Sequence, residues 1–170
     1  MKMSASREIA APPETVWAAI LDPEVLKECV PGCQELTGSA EEGYAATVVQ
    51  KVGPVKATFK GQVKMSDRMP GEKLTISGEG KGGAAGFAKG GAVVTFEASE
   101  QGTVLTYEVD AKVGGKLAQL GSRIIDGFAK KMADQFFSNL QTHLEGPSDD
   151  DAEAEVTKTS GWMSRLTGKS

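Results

Sequence analysis

Between Gln34 and Gly115 apolar and polar residues alternate, the pattern of strands that bury one face. The clearest run is Val55, Ala57, Phe59, Gly61, Val63 and Met65, with lysines at 56, 60 and 64 between them. Tyr44, Ala46, Val48 and Val52 precede it across a Gly53-Pro54 turn, and Gln34 to Thr37 supplies a shorter strand before that. A turn over Asp67 to Gly71 leads to a strand opened by Leu74, Ile76 and Gly78. Ala92, Val94, Phe96 and Ala98 give another, and after Gln101-Gly102 the alternation of Leu105, Tyr107, Val109, Ala111 and Val113 gives the last. Residues 2–10 alternate loosely and add a first strand.

The flanks follow a helical period. Pro13 opens a helix that carries Val16, Trp17, Ile20 and Leu21 to the Asp22-Pro23 break, and a second short helix covers Glu24 to Cys29. At the other flank Leu117, Leu120, Ile124, Phe128, Met132, Phe136, Leu140 and Leu144 recur every three or four residues. That spacing predicts one long amphipathic helix. A helix with such a stripe must cover a sheet face, so the expected fold is α+β. About seven antiparallel strands form a curved sheet around a long C-terminal helix, with two short helices after the first strand.

Composition refines this picture in two places. Glycine is in excess, 21 of 170 residues, and eight of the 21 fall between positions 78 and 102. The formal charge of -4 rests on 19 basic and 23 acidic residues, which excludes the basic surplus of a nucleic-acid protein. Five of those acids lie within residues 149–155, so the remainder of the chain is close to neutral. Three segments are expected: a folded domain over 1–145, a disordered acidic linker over 146–158, and an amphipathic tail over 159–170. In the tail Trp162, Met163 and Leu166, with Arg165 and Lys169, suit weak contact with a membrane interface or docking to a partner protein. Neither a secretory leader nor a membrane-spanning run is expected, and Cys29 and Cys33 are expected to be reduced thiols.

Candidate chemistry is sparse. His143 is the single histidine, and no nucleophile or carboxylate is spaced to act with it. Cys29 and Cys33 fall short of a four-ligand metal set. Gly78-x-Gly80-x-x-Gly83 matches the dinucleotide fingerprint literally, but more glycines and a strand pattern follow where that fingerprint needs a helix. No catalytic and no metal residue is therefore assigned. What the pattern offers is a cavity between sheet and helix. Its expected lining is Trp17, Leu26, Phe59, Val63, Ile76, Val94, Phe96 and Tyr107, facing Leu120, Ile124, Phe128 and Met132 on the helix. A dry core would use the same side chains. The small residues on those strand faces, Ala46, Ala57, Gly61, Gly78, Ala92, Ala98 and Ala111, favour unfilled volume. Phe87, alone among glycines, reads equally as a core plug or a residue at the cavity mouth.

Several separated motifs point to a family. Asp22-Pro23-Glu24-Val25-Leu26 followed by Cys29-Val30-Pro31-Gly32-Cys33 closely resembles a signature of the carbon monoxide dehydrogenase CoxG family. Lys51-Val52-Gly53-Pro54-Val55, Phe59-Lys60-Gly61 and the glycine-rich stretch 78–91 resemble it as well. The element order is similar to the helix-grip fold of START and Bet v 1 relatives. The resemblance implies a non-enzymatic accessory protein of a molybdenum hydroxylase of the carbon monoxide dehydrogenase type. It further implies a hydrophobic ligand in the cavity, a respiratory quinone such as menaquinone or ubiquinone, with no covalently bound cofactor. The expected location is cytoplasmic, peripheral at the inner face of the cell membrane through the tail. The alternative is an assembly or maturation factor for the hydroxylase that carries no ligand.

Overall fold

The structure, a computed structural model, describes residues 1–146. Seven strands form one antiparallel sheet in the order β1-β7-β6-β5-β4-β3-β2. The strands are β1 (Lys2–Ile9), β2 (Cys33–Ser39), β3 (Gly43–Val52), β4 (Val55–Met69), β5 (Lys73–Lys81), β6 (Phe87–Ala98) and β7 (Thr103–Gly114). Two short helices, α1 (Pro13–Leu21) and α2 (Pro23–Cys29), follow β1, and α3 (Ser122–Glu145) closes the described chain. The expected linker and tail, 146–158 and 159–170, lie outside the described residues except for Gly146.

Local chemistry sets the element ends. Proline occupies the first turn of both short helices, where its missing N–H costs nothing. Asp22 accepts a 2.9 Å hydrogen bond from the Glu24 amide and so caps α2 as α1 stops. The long helix is fastened to edge strand β1 by Arg7, which donates to Asp134 at 2.7 Å and to Gln141 at 3.0 Å. It is fastened to α2 by Asn139, which donates to the Cys29 carbonyl at 2.9 Å.

Three expectations need correction. The turn placed over Asp67 to Gly71 is shorter, because β4 runs on to Met69 past an irregularity after Ser66. Asp67 absorbs that irregularity at φ 48°, a left-handed conformation that Asp tolerates better than most residues. Strand β6 begins at Phe87 rather than Ala92, while most of the glycine-rich stretch is paired sheet, in keeping with the strand pattern read there. Finally, the single long helix is two elements: a 3-10 turn over Gly115–Leu120, then α3. They meet at Gly121, whose φ of 89° breaks the helical path. Within α3 a strict four-residue spacing drifts by about 40° per step, so Ile124 stands on a different face from Leu140; Ile125 and Phe137 are buried, whereas Ile124 is 42% exposed.

The apolar residues separate into two clusters. The larger one joins α1, α2, the C-terminal half of α3 and the sheet around Leu74, Val94, Leu105 and Leu140. The smaller one holds Val52, Leu117 and Ile125, with Val55, Phe59, Val113, Leu120 and Phe128 packed on it. It lies where the 3-10 turn and the start of α3 meet the sheet. At its edge the tip between β5 and β6 presses on the end of β7. A Cβ on Gly86 would overlap the Gly114 carbonyl oxygen, and Gly86 itself sits at φ 110°. Gly86→Ala is expected to lower stability by about 2 kcal/mol or more, read from the denaturant midpoint. An unchanged midpoint would show that this tip is free to move away.

Candidate ligand cavity

The sheet register explains why space is left beside the smaller cluster. Facing residues pair across four strands as Ala46, Gly61, Gly80 and Ala88, and the last of these pairs with Val113 on β7. The adjacent row runs Val63, Gly78, Gly90 and Ala111. Two neighbouring rows of glycine and alanine hold the sheet surface low beneath the 3-10 turn and the first turns of α3. Below the C-terminal half of α3 the rows carry bulk instead: Met65, Ile76, Leu74, Val94 and Tyr107.

The result is a cavity of about 660 Å³. That volume falls within the roughly 300–1,000 Å³ of small-molecule sites. Its walls come from Val48, Gln50 and Val52 on β3, Phe59 on β4, Gly80 on β5, Ala88 on β6, and Ala111 to Val113 on β7. Met1 and, across the opening, Leu117, Ala118, Ile125, Phe128 and Ala129 complete it, with Gly121 at the junction. Polar side chains are few: Gln50, Lys112, Ser122 and Asp126. Gln50 is already engaged, its amide donating to the Pro31 carbonyl. The Phe59 ring lies against Gly82, where any Cβ would stand 2.5 Å from a ring carbon. A glycine there is what lets the phenyl group form the wall.

The site residues expected from sequence fall into different places. Phe59 and Phe128 line the cavity, and Leu120 packs in the adjoining small cluster. Leu26, Val94, Phe96 and Tyr107 belong to the larger core, with Trp17, Val63 and Ile76 packed against it. Their aromatic rings are used there: Trp17 meets Phe96 edge-on at 5.4 Å, and Tyr107 stacks on Phe137 at 4.4 Å. Burial raises the Tyr107 hydroxyl above its usual pKa. Met132 is partly buried on α3 and does not border the cavity. Ile124 and Phe87 are exposed, each at 42%, with the Phe87 ring over the backbone of Gly114. Phe87 is thus not a core plug. Trp162, Met163, Arg165, Leu166 and Lys169 lie outside the described residues.

Among the described residues no group of three or more His, Cys, Asp or Glu is placed to hold a metal ion. His143 stands 3.3 Å from Glu28 at the far end of α3. Cys29 is fully buried, and desolvation, with Glu28 adding to it, pushes its thiol up to about 11. Cys33 is raised too, chiefly by burial. Thiols held protonated are poor nucleophiles and poor metal ligands. The arrangement can enclose an apolar molecule with a small polar end.

Comparison with known proteins gives the family and the fold. The family model for carbon monoxide dehydrogenase CoxG matches residues 6–145. A conserved protein from Geobacillus kaustophilus of known structure is 29% identical, with 85% of this chain and 95% of that one aligned at a TM-score of 0.79. An uncharacterized protein from Rhizobium leguminosarum, 19% identical, aligns over 86% of this chain and 95% of its own at a TM-score of 0.67. A protein from Chromobacterium violaceum, 18% identical, aligns over 86% and 99% at 0.63. These last two share the fold alone. No curated protein matches the chain.

Proposed function

This chain belongs to the carbon monoxide dehydrogenase CoxG family, and from that premise we propose that it is a non-enzymatic ligand-carrying accessory protein of a molybdenum hydroxylase. Its fold is read as the helix grip of START and Bet v 1 relatives. The cavity takes a lipophilic ring compound, a respiratory quinone such as menaquinone or ubiquinone, and the tail over 159–170 brings the carrier and its enzyme to a membrane surface. The observation that carries this reading is the 660 Å³ apolar cavity under the start of α3. A carrier needs an apolar wall large enough for a ring, and the side chains lining this cavity supply one.

Lys112 and Ser122, donors among the polar side chains at the cavity, would meet a quinone's carbonyl groups, while Phe59, Phe128 and the aliphatic wall would take the ring and part of its tail. No helix among the described residues is long and apolar enough to cross a membrane. Membrane contact is accordingly assigned to the surface and the tail. The competing reading, an assembly factor without a ligand, makes no use of the cavity. Calorimetric titration of the full chain with decylubiquinone separates them. A saturable one-to-one isotherm is expected, with Kd in the micromolar range, about -8 kcal/mol. Absence of binding up to the solubility limit would leave only the assembly role.

A further inference from the structure

Strand alternation turns the odd residues of β4 toward α3 and the even ones outward, and every outward residue from Lys56 to Ser66 is exposed. On this outer face the strand register sets lysine directly against lysine. Lys51 faces Lys56 across β3 and β4, and Lys60 faces Lys81 across β4 and β5. Across β6 and β7 Lys89 faces Lys112, which also borders the cavity. Like charges placed opposite one another destabilise a sheet. Lysines scattered among carboxylates would keep the surface soluble without that cost. Lys64 adds a further cation, and the carboxylates within the field are Glu35 and Glu79, the latter opposite Lys89. None of these lysines forms an ion pair among the described residues. At the margin Asp110 faces Lys2 across β7 and β1. The other half of the same face has the opposite balance, with Glu8, Glu97 and Glu108 against Lys73.

Phe87 stands in the same row, opposite Lys81, and is 42% exposed. Its ring lies along Gly114, where an added Cβ would overlap it, so it offers a flat aromatic surface among the lysines. A merely soluble face has no use for such a ring, whereas a protein interface takes it as an anchor. A lipid interior favours side chains that project into it, which a ring laid along the backbone does not. The lysine field measures about 26 Å along β4 from Lys56 to Lys64 and about 14 Å across β3 to β6. That falls below the ~800 Å² per partner of a standard interface and suits a brief encounter steered by charge. We propose that the lysine half of the outer sheet face docks transiently on an acidic protein surface, that of the partner hydroxylase, with Phe87 as the apolar anchor. The opposite charge of the two halves fixes the orientation of docking. Lys112 joins the field to the cavity, so the encounter brings the partner beside the ligand. This docking deepens the accessory reading and rests on it; it does not depend on which ligand is carried.

The test measures association and dissociation rates of the full chain on an immobilised, purified molybdenum hydroxylase of the carbon monoxide dehydrogenase type from the same organism. One variant combines Lys51→Gln, Lys56→Gln, Lys60→Gln and Lys81→Gln; none of these residues lines the cavity. Its association rate at low salt is expected to fall by about tenfold or more, with most of the salt dependence lost. Its melting temperature should equal or exceed that of the parent, because two opposed lysine pairs are relieved. Phe87→Ala should instead leave association nearly unchanged and speed dissociation by about tenfold. Association of the lysine variant within twofold of the parent would overturn the proposal and leave the accessory reading standing. An equal loss in a chain carrying Lys27→Gln, Lys73→Gln, Lys130→Gln and Lys131→Gln would also overturn it, since net charge alone would then explain the effect. A parent chain that does not bind the hydroxylase would overturn both readings. If that parent instead sedimented with phosphatidylglycerol vesicles, and the four lysine substitutions abolished this, the face would belong to a lipid surface and the proposal would fail.

Discussion

Gly80→Leu is expected to weaken ligand uptake sharply while leaving the fold intact. Gly80 lines the cavity from β5, and a Cβ there meets only the Phe59 Cβ, at 3.9 Å, an ordinary contact. Its backbone is extended sheet, paired with Gly61 on one side and Ala88 on the other, so no left-handed conformation is lost. The isobutyl group therefore has one place to go, into the space between Phe59 and the start of α3. Filling it removes the room for a ring and covers apolar wall. Affinity for decylubiquinone should fall by about a hundredfold, the equivalent of about 2.7 kcal/mol, with a melting temperature equal to or above that of the parent. Gly61→Leu, one strand away, makes a useful contrast: its Cβ would stand 3.1 Å from the Glu79 carbonyl oxygen, so there the backbone must give way. Unchanged affinity in a folded Gly80→Leu chain would mean that the ligand sits elsewhere.

Leu140→Ala is expected to have the opposite profile. Leu140 is fully buried in the larger cluster, near the point where Asn139 and Gln141 tie α3 to α2 and β1. Truncating it removes apolar contact and leaves a void in a tightly packed region, which costs about 3 kcal/mol. For a domain of this size that corresponds to a fall in Tm of about 10 °C. Because the cavity belongs to the other cluster, ligand affinity well below the transition should change by less than about threefold, as is usual for separated sites. A large loss of affinity at low temperature in the folded variant would show that the two clusters act as one body, and that the cavity depends on how the whole of α3 is seated.

The pairing of these two outcomes follows from something only partly legible in the sequence. Period-two alternation gives all seven strands, and the proline and aspartate signals give the two short helices. The long apolar period gives the closing helix. What it cannot give is the phase across a break. Leu117, Leu120, Ile124 and Phe128 read as one stripe, but the path breaks at Gly121, and within α3 a four-residue spacing drifts off the face that buries Leu140, so that Ile125 is buried and Ile124 is not. The cavity was legible in kind more than in place. A sequence search for a binding site favours the largest apolar side chains, and Trp17, Phe96 and Tyr107 are large because they fill the packed half of the molecule. The emptier half is marked by what is missing. Gly61 and Ala46 carry that signal along single strands, yet their meaning appears only when register aligns them with Gly80 and Ala88. The lysines are a similar case. Each lies on an ordinary polar position, and their opposition in pairs on one face arises from the register of the strands.

Covalent mapping reads out whether a lipophilic ligand is held in the space under the start of α3. The full chain, incubated with a quinone analogue bearing a photoactivated diazirine on its alkyl chain, is irradiated in vesicle-free buffer, digested and read by mass spectrometry. Label is expected only on peptides carrying residues 48–59, 80–88 and 111–129, competed by unlabelled decylubiquinone and lost in Gly80→Leu. Label concentrated around Trp17, Leu74 and Leu140, or spread over the exposed sheet without competition, would contradict it.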